Sequence, residues 1–100
     1  MLITPSHRRT FDERGRIYNS LGDYPAMVAN LARTTRTPLI DLHALSKELY
    51  ESLGPERSGP LFVSGDNTHY SSEGAYRLAQ LVIDGIKRSE LDRVKYLVLE

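Results

Sequence analysis

The stretch Thr37-Pro38-Leu39-Ile40-Asp41-Leu42 passes from one kind of predicted structure to another within six residues. Its apolar centre predicts a short buried strand, and a helical pattern begins directly afterwards. That pattern places Leu42, Leu45, Leu49 and Leu53 on one face, with Gly54 as the stop signal. A strand that leads directly into a helix is typical of α/β proteins with a parallel sheet.

The same order of elements is predicted upstream of this stretch. Leu2 and Ile3, followed by Pro5, predict another short buried strand. Residues 6–22 are rich in charged residues and read as a long polar loop. A helix at about Tyr24 to Thr35 follows, with Asp23 as its N-cap. The apolar face of this helix consists of Tyr24, Met27, Val28, Leu31 and Ala32.

Downstream, a third helix is predicted after a turn-rich linker at residues 55–60 and a short apolar segment at residues 61–63. Ser71 or Ser72 is its expected cap, and residues 91–100 continue with apolar residues at helical spacing. Its apolar stripe is formed by Ala75, Leu78, Ala79, Val82 and Ile86, widened by Leu81 and Ile83. Two strands are too few to cover three apolar helix faces. We therefore expect the second half of a larger α/β domain.

Composition excludes several classes of function. Thirteen basic and thirteen acidic residues cancel, so the charge predicts no nucleic-acid or anionic-membrane partner. No apolar run approaches the roughly 20 residues of a membrane-spanning helix, and no signal peptide is recognised. The absence of cysteine excludes disulfides and thiolate metal sites but leaves the cellular compartment open.

Asp66 and His69, in Asp66-Asn67-Thr68-His69, are the candidate catalytic residues. Residues three positions apart in a turn have Cα atoms within about 7 Å, which lets a carboxylate accept from one imidazole nitrogen. The other ring nitrogen then serves as a base. The same spacing also occurs in ordinary helix caps and surface turns, so it does not by itself distinguish catalysis from structure.

The surrounding residues favour catalysis. The run from Asp66 to Ala75, followed by a helix, resembles the final conserved block of the GDSL, or SGNH, hydrolases. Residues 2–5, 22–25 and 38–42 resemble the middle of the rhamnogalacturonan acetylesterase branch of that family. The resemblance covers about residues 1–90. It implies a flavodoxin-like three-layer α/β/α fold with a short parallel sheet flanked by helices, in which Asp66 is the triad acid and His69 the general base.

The chain departs from this family at the nucleophile. The family's serine lies in a Gly-Asp-Ser block after the first strand, and its oxyanion hole uses that serine's amide, a glycine and an asparagine, all upstream of the matched region. None of the nine serines of this chain has that context or lies in a G-x-S-x-G sequence. Residues 1–100 are therefore expected to be a partial SGNH hydrolase domain without its N-terminal, nucleophile-bearing half.

Other polar residues have weaker claims to a site. His7, Arg8 and Arg9 follow a strand, where they either contact an acidic sugar or belong to a solvated loop, which is the favoured interpretation. Asp41 and His43 suggest a metal pair, but a helix cap and a surface histidine explain them better. Tyr70 either lines a substrate pocket or packs in the core or at its rim. No metal or cofactor is predicted.

The resemblance implies part of a serine esterase that deacetylates a pectin-type carbohydrate. Its expected partners are an acetylated carbohydrate and the missing half of the same domain. The alternative is a non-catalytic α/β module that binds a partner chain or a sugar, and the missing nucleophile is its support.

Overall fold

The computed structural model describes residues 1–99 of the chain, with side chains for residues 1–90. Two parallel strands, β1 (Leu2–Ile3) and β2 (Leu39–Ile40), form the sheet, with Leu2 opposite Leu39 and Ile3 opposite Ile40. The other elements are three α-helices and a short 3-10 turn: α1 (Tyr24–Thr35), α2 (Leu42–Arg57), the 3-10 turn Gly59–Leu61 and α3 (Ser72–Leu99). This arrangement confirms the predicted α/β class with a short parallel sheet flanked by helices. The predicted spacing of apolar side chains in residues 91–100 lies outside the described side chains.

The strand pair is tied to the start of α2 by one buried side chain. Leu2 N donates to Pro38 O (2.9 Å) and Thr4 N donates to Ile40 O (3.0 Å). The Thr4 hydroxyl then donates to Asp41 Oδ1 (2.9 Å) and accepts from the backbone N–H of His43 (2.9 Å). Asp41 Oδ1 also accepts from Ala44 N (3.2 Å), which confirms Asp41 as the cap of α2.

The core contains a residue from the segment that was predicted to be a polar loop. Ile17 is buried together with Tyr50, Leu61 and Phe62, and Phe11 packs against this cluster. Phe11 and Ile17 face each other in an isolated antiparallel bridge, so residues 6–22 fold back on themselves. The prediction of a polar loop was wrong at these two positions because single apolar residues among many charges show no periodicity.

Helix α2 differs from its predicted pattern in what it buries. Its leucine face is only half-buried, whereas Ser46 and Tyr50 have no solvent exposure. Gly54 interrupts the helical geometry with φ 80°, as expected of a stop signal, but helical backbone resumes and ends at Arg57. The predicted turn-rich linker is therefore a helical turn followed by the 3-10 turn.

Two glycines let α3 lie directly on its neighbours. A Cβ atom on Gly74 would be 1.8 Å from the carbonyl oxygen of Leu61, and one on Gly85 would be 3.1 Å from the Ile40 side chain. Leu78 lies between them on the same buried face, as predicted. Four predicted positions, Ala75, Ala79, Ile83 and Ile86, are exposed instead, because the contact face is rotated toward the glycines.

Much of the remaining apolar surface is open to solvent. On α1, Ala32 is buried, but Tyr24, Met27 and Leu31 are 67%, 65% and 52% exposed. Asp23 occupies the N-cap position of this helix without a side-chain capping hydrogen bond. Within the described residues, no helix combines the length and the apolar character of a membrane span.

Candidate active site

The candidate residues lie in a closed turn between the 3-10 turn and α3. Phe62 and Tyr70 form an antiparallel bridge at the base of this turn. Val63 N donates to His69 O (2.9 Å), and Asp66 N donates to Val63 O (2.9 Å). Gly65, with φ 74°, takes the left-handed conformation that the reversal requires. These bonds hold residues 63–69 in one conformation; we call this segment the catalytic turn.

The two carboxylate oxygens of Asp66 have separate partners. Oδ1 accepts from the backbone N–H groups of Thr68 (2.6 Å) and His69 (3.0 Å), which is an Asx-turn. Oδ2 lies 2.8 Å from Nδ1 of His69. The hydrogen bonds from the His69 amide, the Thr68 amide and the His69 ring, in that order, lower the pKa of Asp66 to about 2. Asp66 is thus a carboxylate at neutral pH.

This carboxylate determines the tautomer of His69. A carboxylate only accepts hydrogen bonds, so Nδ1 of the ring carries the hydrogen and Nε2 keeps the lone pair in the neutral form. The His69 side chain is 76% exposed, while Asp66 is 32% exposed. The arrangement is able to accept a proton at Nε2 and to stabilise the resulting imidazolium through Asp66.

Several serine hydroxyls of the described chain have structural roles. Ser46 and Ser58 are fully buried, and Ser71 Oγ accepts from Gly74 N (3.1 Å) as the predicted cap of α3. Ser6 is hydrogen-bonded to the Tyr70 hydroxyl (2.7 Å). Among the side chains described here, none forms a hydrogen bond with Nε2 of His69.

His7 and His43 lie apart from the catalytic turn and stack on each other. Their ring centroids are 3.5 Å apart, and His7 is only 4% exposed. Its backbone N–H donates to Ser46 Oγ (2.8 Å), whereas its Nδ1 is buried with no hydrogen-bond partner. Burial, followed by the nearby charges of His43 and Lys47, lowers the pKa of His7 to about 4.

The solvated-loop interpretation was therefore wrong for His7, and the surface assignment was wrong for His43. Nothing in a single histidine among arginines signals that the ring turns inward. His43 approaches Pro5 O through Nδ1 (3.2 Å), and Asp41 is the helix cap, so the two do not form a metal pair. In the described part of the chain, no group of three or more His, Cys, Asp or Glu residues is placed to hold a metal ion.

Tyr70 packs against the core, at its rim, beside the catalytic turn. Its ring lies 4.9 Å from that of Phe62, and its hydroxyl shares a 2.5 Å hydrogen bond with the hydroxyl of Tyr50. The hydroxyl of Tyr50 in turn donates to His7 O (3.0 Å). Of the two interpretations of Tyr70, the structure supports packing at the rim of the core. Tyr50 was not singled out from the sequence, because a tyrosine within a leucine-rich helix carries no separate signal.

The chain resembles known proteins in sequence and in structure. No family model matches the chain. The chain is 41% identical to the rhamnogalacturonan acetylesterase RhgT of Bacillus subtilis, with 98% of this chain and 48% of RhgT covered. It is 31% identical to the probable rhamnogalacturonan acetylesterase YesY of the same species, covering 100% of this chain and 48% of YesY.

A solved structure supports the same relationship. The crystal structure of the Bacillus subtilis protein YxiM superposes with a TM-score of 0.81 and 36% identity, over 89% of this chain and 26% of YxiM. YxiM is also described as an uncharacterized esterase. The chain spans about half, or less, of the length of each of these proteins. These comparisons make the chain a homologue of GDSL/SGNH-type esterases, and of rhamnogalacturonan acetylesterases in particular, over one segment of each relative.

Proposed function

We propose that this chain supplies the acid and the base of a Ser-His-Asp triad in an esterase that removes acetyl groups from carbohydrate. The observation that carries the proposal is the 2.8 Å contact between Asp66 Oδ2 and His69 Nδ1 on an exposed ring. This contact leaves Nε2 as the ring nitrogen of His69 that is available to accept a proton. The names of RhgT and YesY support an acetylated rhamnogalacturonan, a pectin-type carbohydrate, as the substrate.

The proposed reaction has two halves. In the first, a serine hydroxyl attacks the acetyl carbonyl while Nε2 of His69 accepts the serine proton. The imidazolium then gives this proton to the sugar oxygen as the bond between that oxygen and the acetyl carbon breaks. In the second half, water attacks the acetyl-serine, His69 takes a proton from the water and returns it to the serine, and acetic acid leaves and ionises to acetate. Asp66 stays ionised throughout and stabilises the imidazolium.

We also propose that the serine belongs to a segment of the same domain that lies outside these 100 residues. The unbonded Nε2 supports this, since no serine among the described side chains forms a hydrogen bond with it. The exposed apolar residues support it too. Ile3 is 43% exposed at the strand edge, and Met27 and Leu31 are more than half exposed on α1. In a folded α/β domain, such surface is normally covered by further strands and helices.

The test is a hybrid enzyme, in which this chain replaces the matched segment of RhgT. Acetate release from acetylated rhamnogalacturonan is the primary assay, and p-nitrophenyl acetate provides kinetics. We expect turnover, and His69→Ala should lower kcat about 10⁴-fold or more, because the proton acceptor is lost. Asp66→Ala should lower kcat less, because Asp66 acts only through His69.

Thr68→Ala is the matched control. Its side chain is exposed in the same turn and forms no hydrogen bond within the described residues, so kcat should stay near that of the unsubstituted hybrid. Near-normal turnover of His69→Ala would contradict the proposed triad. A well-folded hybrid that binds the polysaccharide without releasing acetate would favour a non-catalytic module.

A further inference from the structure

One arginine connects the catalytic turn to the rest of the molecule. The backbone N–H of Arg9 donates to Asn67 O (2.9 Å), and its Nη1 donates to Asn67 Oδ1 (2.9 Å). Within the described residues, these two are the only hydrogen bonds that join residues 63–69 to any other segment. Asn67 lies between Asp66 and His69 in the sequence, so Arg9 holds the turn at its tip.

The other nitrogens of the same guanidinium reach a second segment. Nε donates to Ser58 Oγ (3.0 Å), and Nη2 donates to the carbonyl oxygen of Pro55. Ser58 is fully buried and its backbone N–H donates to Gly54 O (3.0 Å), so the acceptor for Nε of Arg9 has a fixed position. A planar guanidinium with three nitrogens can donate to Asn67, Ser58 and Pro55 at the same time, whereas a lysine ammonium, with a single nitrogen, cannot.

The Asp66–His69 contact itself does not involve Arg9. Asp66 is bonded to the amides and the ring of its own turn, and His69 is oriented by Asp66. Arg9→Ala would therefore leave the pair intact and keep the backbone bond to Asn67 O, but it would remove the side-chain bond that ties the turn to the segment around Ser58. When a catalytic group is displaced by about 1 Å from the reacting atoms, the rate of the chemical step can fall on the order of a hundredfold.

We infer that Arg9 is a positioning residue, which fixes the catalytic turn so that Nε2 of His69 lies within reach of the nucleophile. This inference rests on the proposed esterase function. It assigns Arg9 a role that differs from that of Asp66. Arg9 sets the location of the acid–base pair, whereas Asp66 sets the tautomer of His69.

The test compares Arg9→Ala with Arg8→Ala in the hybrid enzyme. Arg8 is exposed, and its side chain has no hydrogen bond among the described residues, so Arg8→Ala removes the same charge without releasing the turn. We expect Arg9→Ala to lower kcat on the order of tenfold to a hundredfold, with KM and the acid limb of the pH profile unchanged. Arg8→Ala should leave kcat within about twofold.

A second measurement is independent of turnover. Amide hydrogen exchange of Thr68 and His69, whose N–H groups are bonded to Asp66, should become at least about tenfold faster in Arg9→Ala and stay unchanged in Arg8→Ala. If Arg9→Ala does not fold, Asn67→Ala replaces it. Asn67 is exposed, and its substitution removes the contact with Nη1 while keeping Arg9 bonded to Pro55 and Ser58.

The outcomes separate the two proposals. Faster exchange in a hybrid that lacks turnover would support the role of Arg9 and contradict the esterase function. Unchanged kcat and unchanged exchange in Arg9→Ala, in an active hybrid, would overturn the role of Arg9 and leave the function standing. Full recovery by Arg9→Lys would assign the effect to charge and would also overturn positioning.

Discussion

The buried histidine makes the stability of the fold depend on pH in a defined window. His7 has a pKa of about 4 in the folded chain, against 6.5 for an unperturbed histidine. Above pH 6.5 the ring is neutral in both the folded and unfolded states and contributes no pH dependence. As the pH falls below 6.5, the unfolded chain binds a proton that the folded chain excludes, so stability is lost down to pH 4.

The size of this loss follows from the pKa difference. At pH 4 the difference corresponds to about 3 kcal/mol, since one pKa unit is about 1.4 kcal/mol. The groups around the ring explain the direction. His43 and Lys47 oppose a positive charge there, whereas Asp41 and Glu51 favour it and offset only part of the effect of burial.

His7→Phe is the informative substitution, because it keeps an aromatic ring against His43 and removes the titrating nitrogen. Urea denaturation of the hybrid enzyme at pH 7 and pH 4 measures the free energy of unfolding of both proteins. We expect the unsubstituted hybrid to lose about 3 kcal/mol more than His7→Phe between these pH values. Asp66 titrates below this window, and the other carboxylates are common to both proteins, so their effect cancels in the comparison. An equal loss in the two proteins would refute the reasoning.

Three further predictions concern packing and the isolated chain. Gly74→Ala in the hybrid should lower the free energy of unfolding by at least about 2 kcal/mol, measured by urea denaturation, because its Cβ would overlap the carbonyl of Leu61. The control is Ala79→Gly, on the exposed face of α3, which should lower it by only about 1 kcal/mol. The isolated chain should hydrolyse p-nitrophenyl acetate at the background rate, and turnover abolished by a serine-directed phosphonate would contradict the proposed source of the serine. The isolated chain should also aggregate or melt without a cooperative transition, owing to its exposed apolar residues; a monodisperse monomer with a sharp thermal transition would disprove this.

Local patterns were sufficient to predict most of the secondary structure. The helix at Tyr24–Thr35, the two strands and the Asp41 cap follow from apolar spacing and capping chemistry, and the structure confirms them. Burial was predicted less well. Tyr24, Met27 and Leu31 lie on one apolar face of α1, yet all three are exposed. Which face of a helix is covered depends on elements elsewhere in the domain.

The candidate site was predictable where its residues are adjacent in sequence. Asp66 and His69 lie three positions apart, so turn geometry alone brings them together, as observed. Arg9 and Asn67 are 58 positions apart in the sequence, and His7 and His43, which stack on each other, follow different strands. Such contacts depend on how distant segments pack, and no local pattern in a single sequence encodes them.

The buried Thr4 side chain has a consequence for how the strands are aligned. A ladder of two residues per strand offers few hydrogen bonds, so little besides the burial of Ile40 opposes slippage by one position, which would turn each side chain of the slipped strand to the other face. The Thr4 hydroxyl recognises Asp41 and the His43 amide immediately beyond the ladder, and it can meet both only in the observed alignment. Polar contacts just outside the strands therefore help to specify the register of this sheet. A chain with Thr4→Val should hold this register less firmly, because the short ladder and the burial of Ile40 alone would oppose slippage.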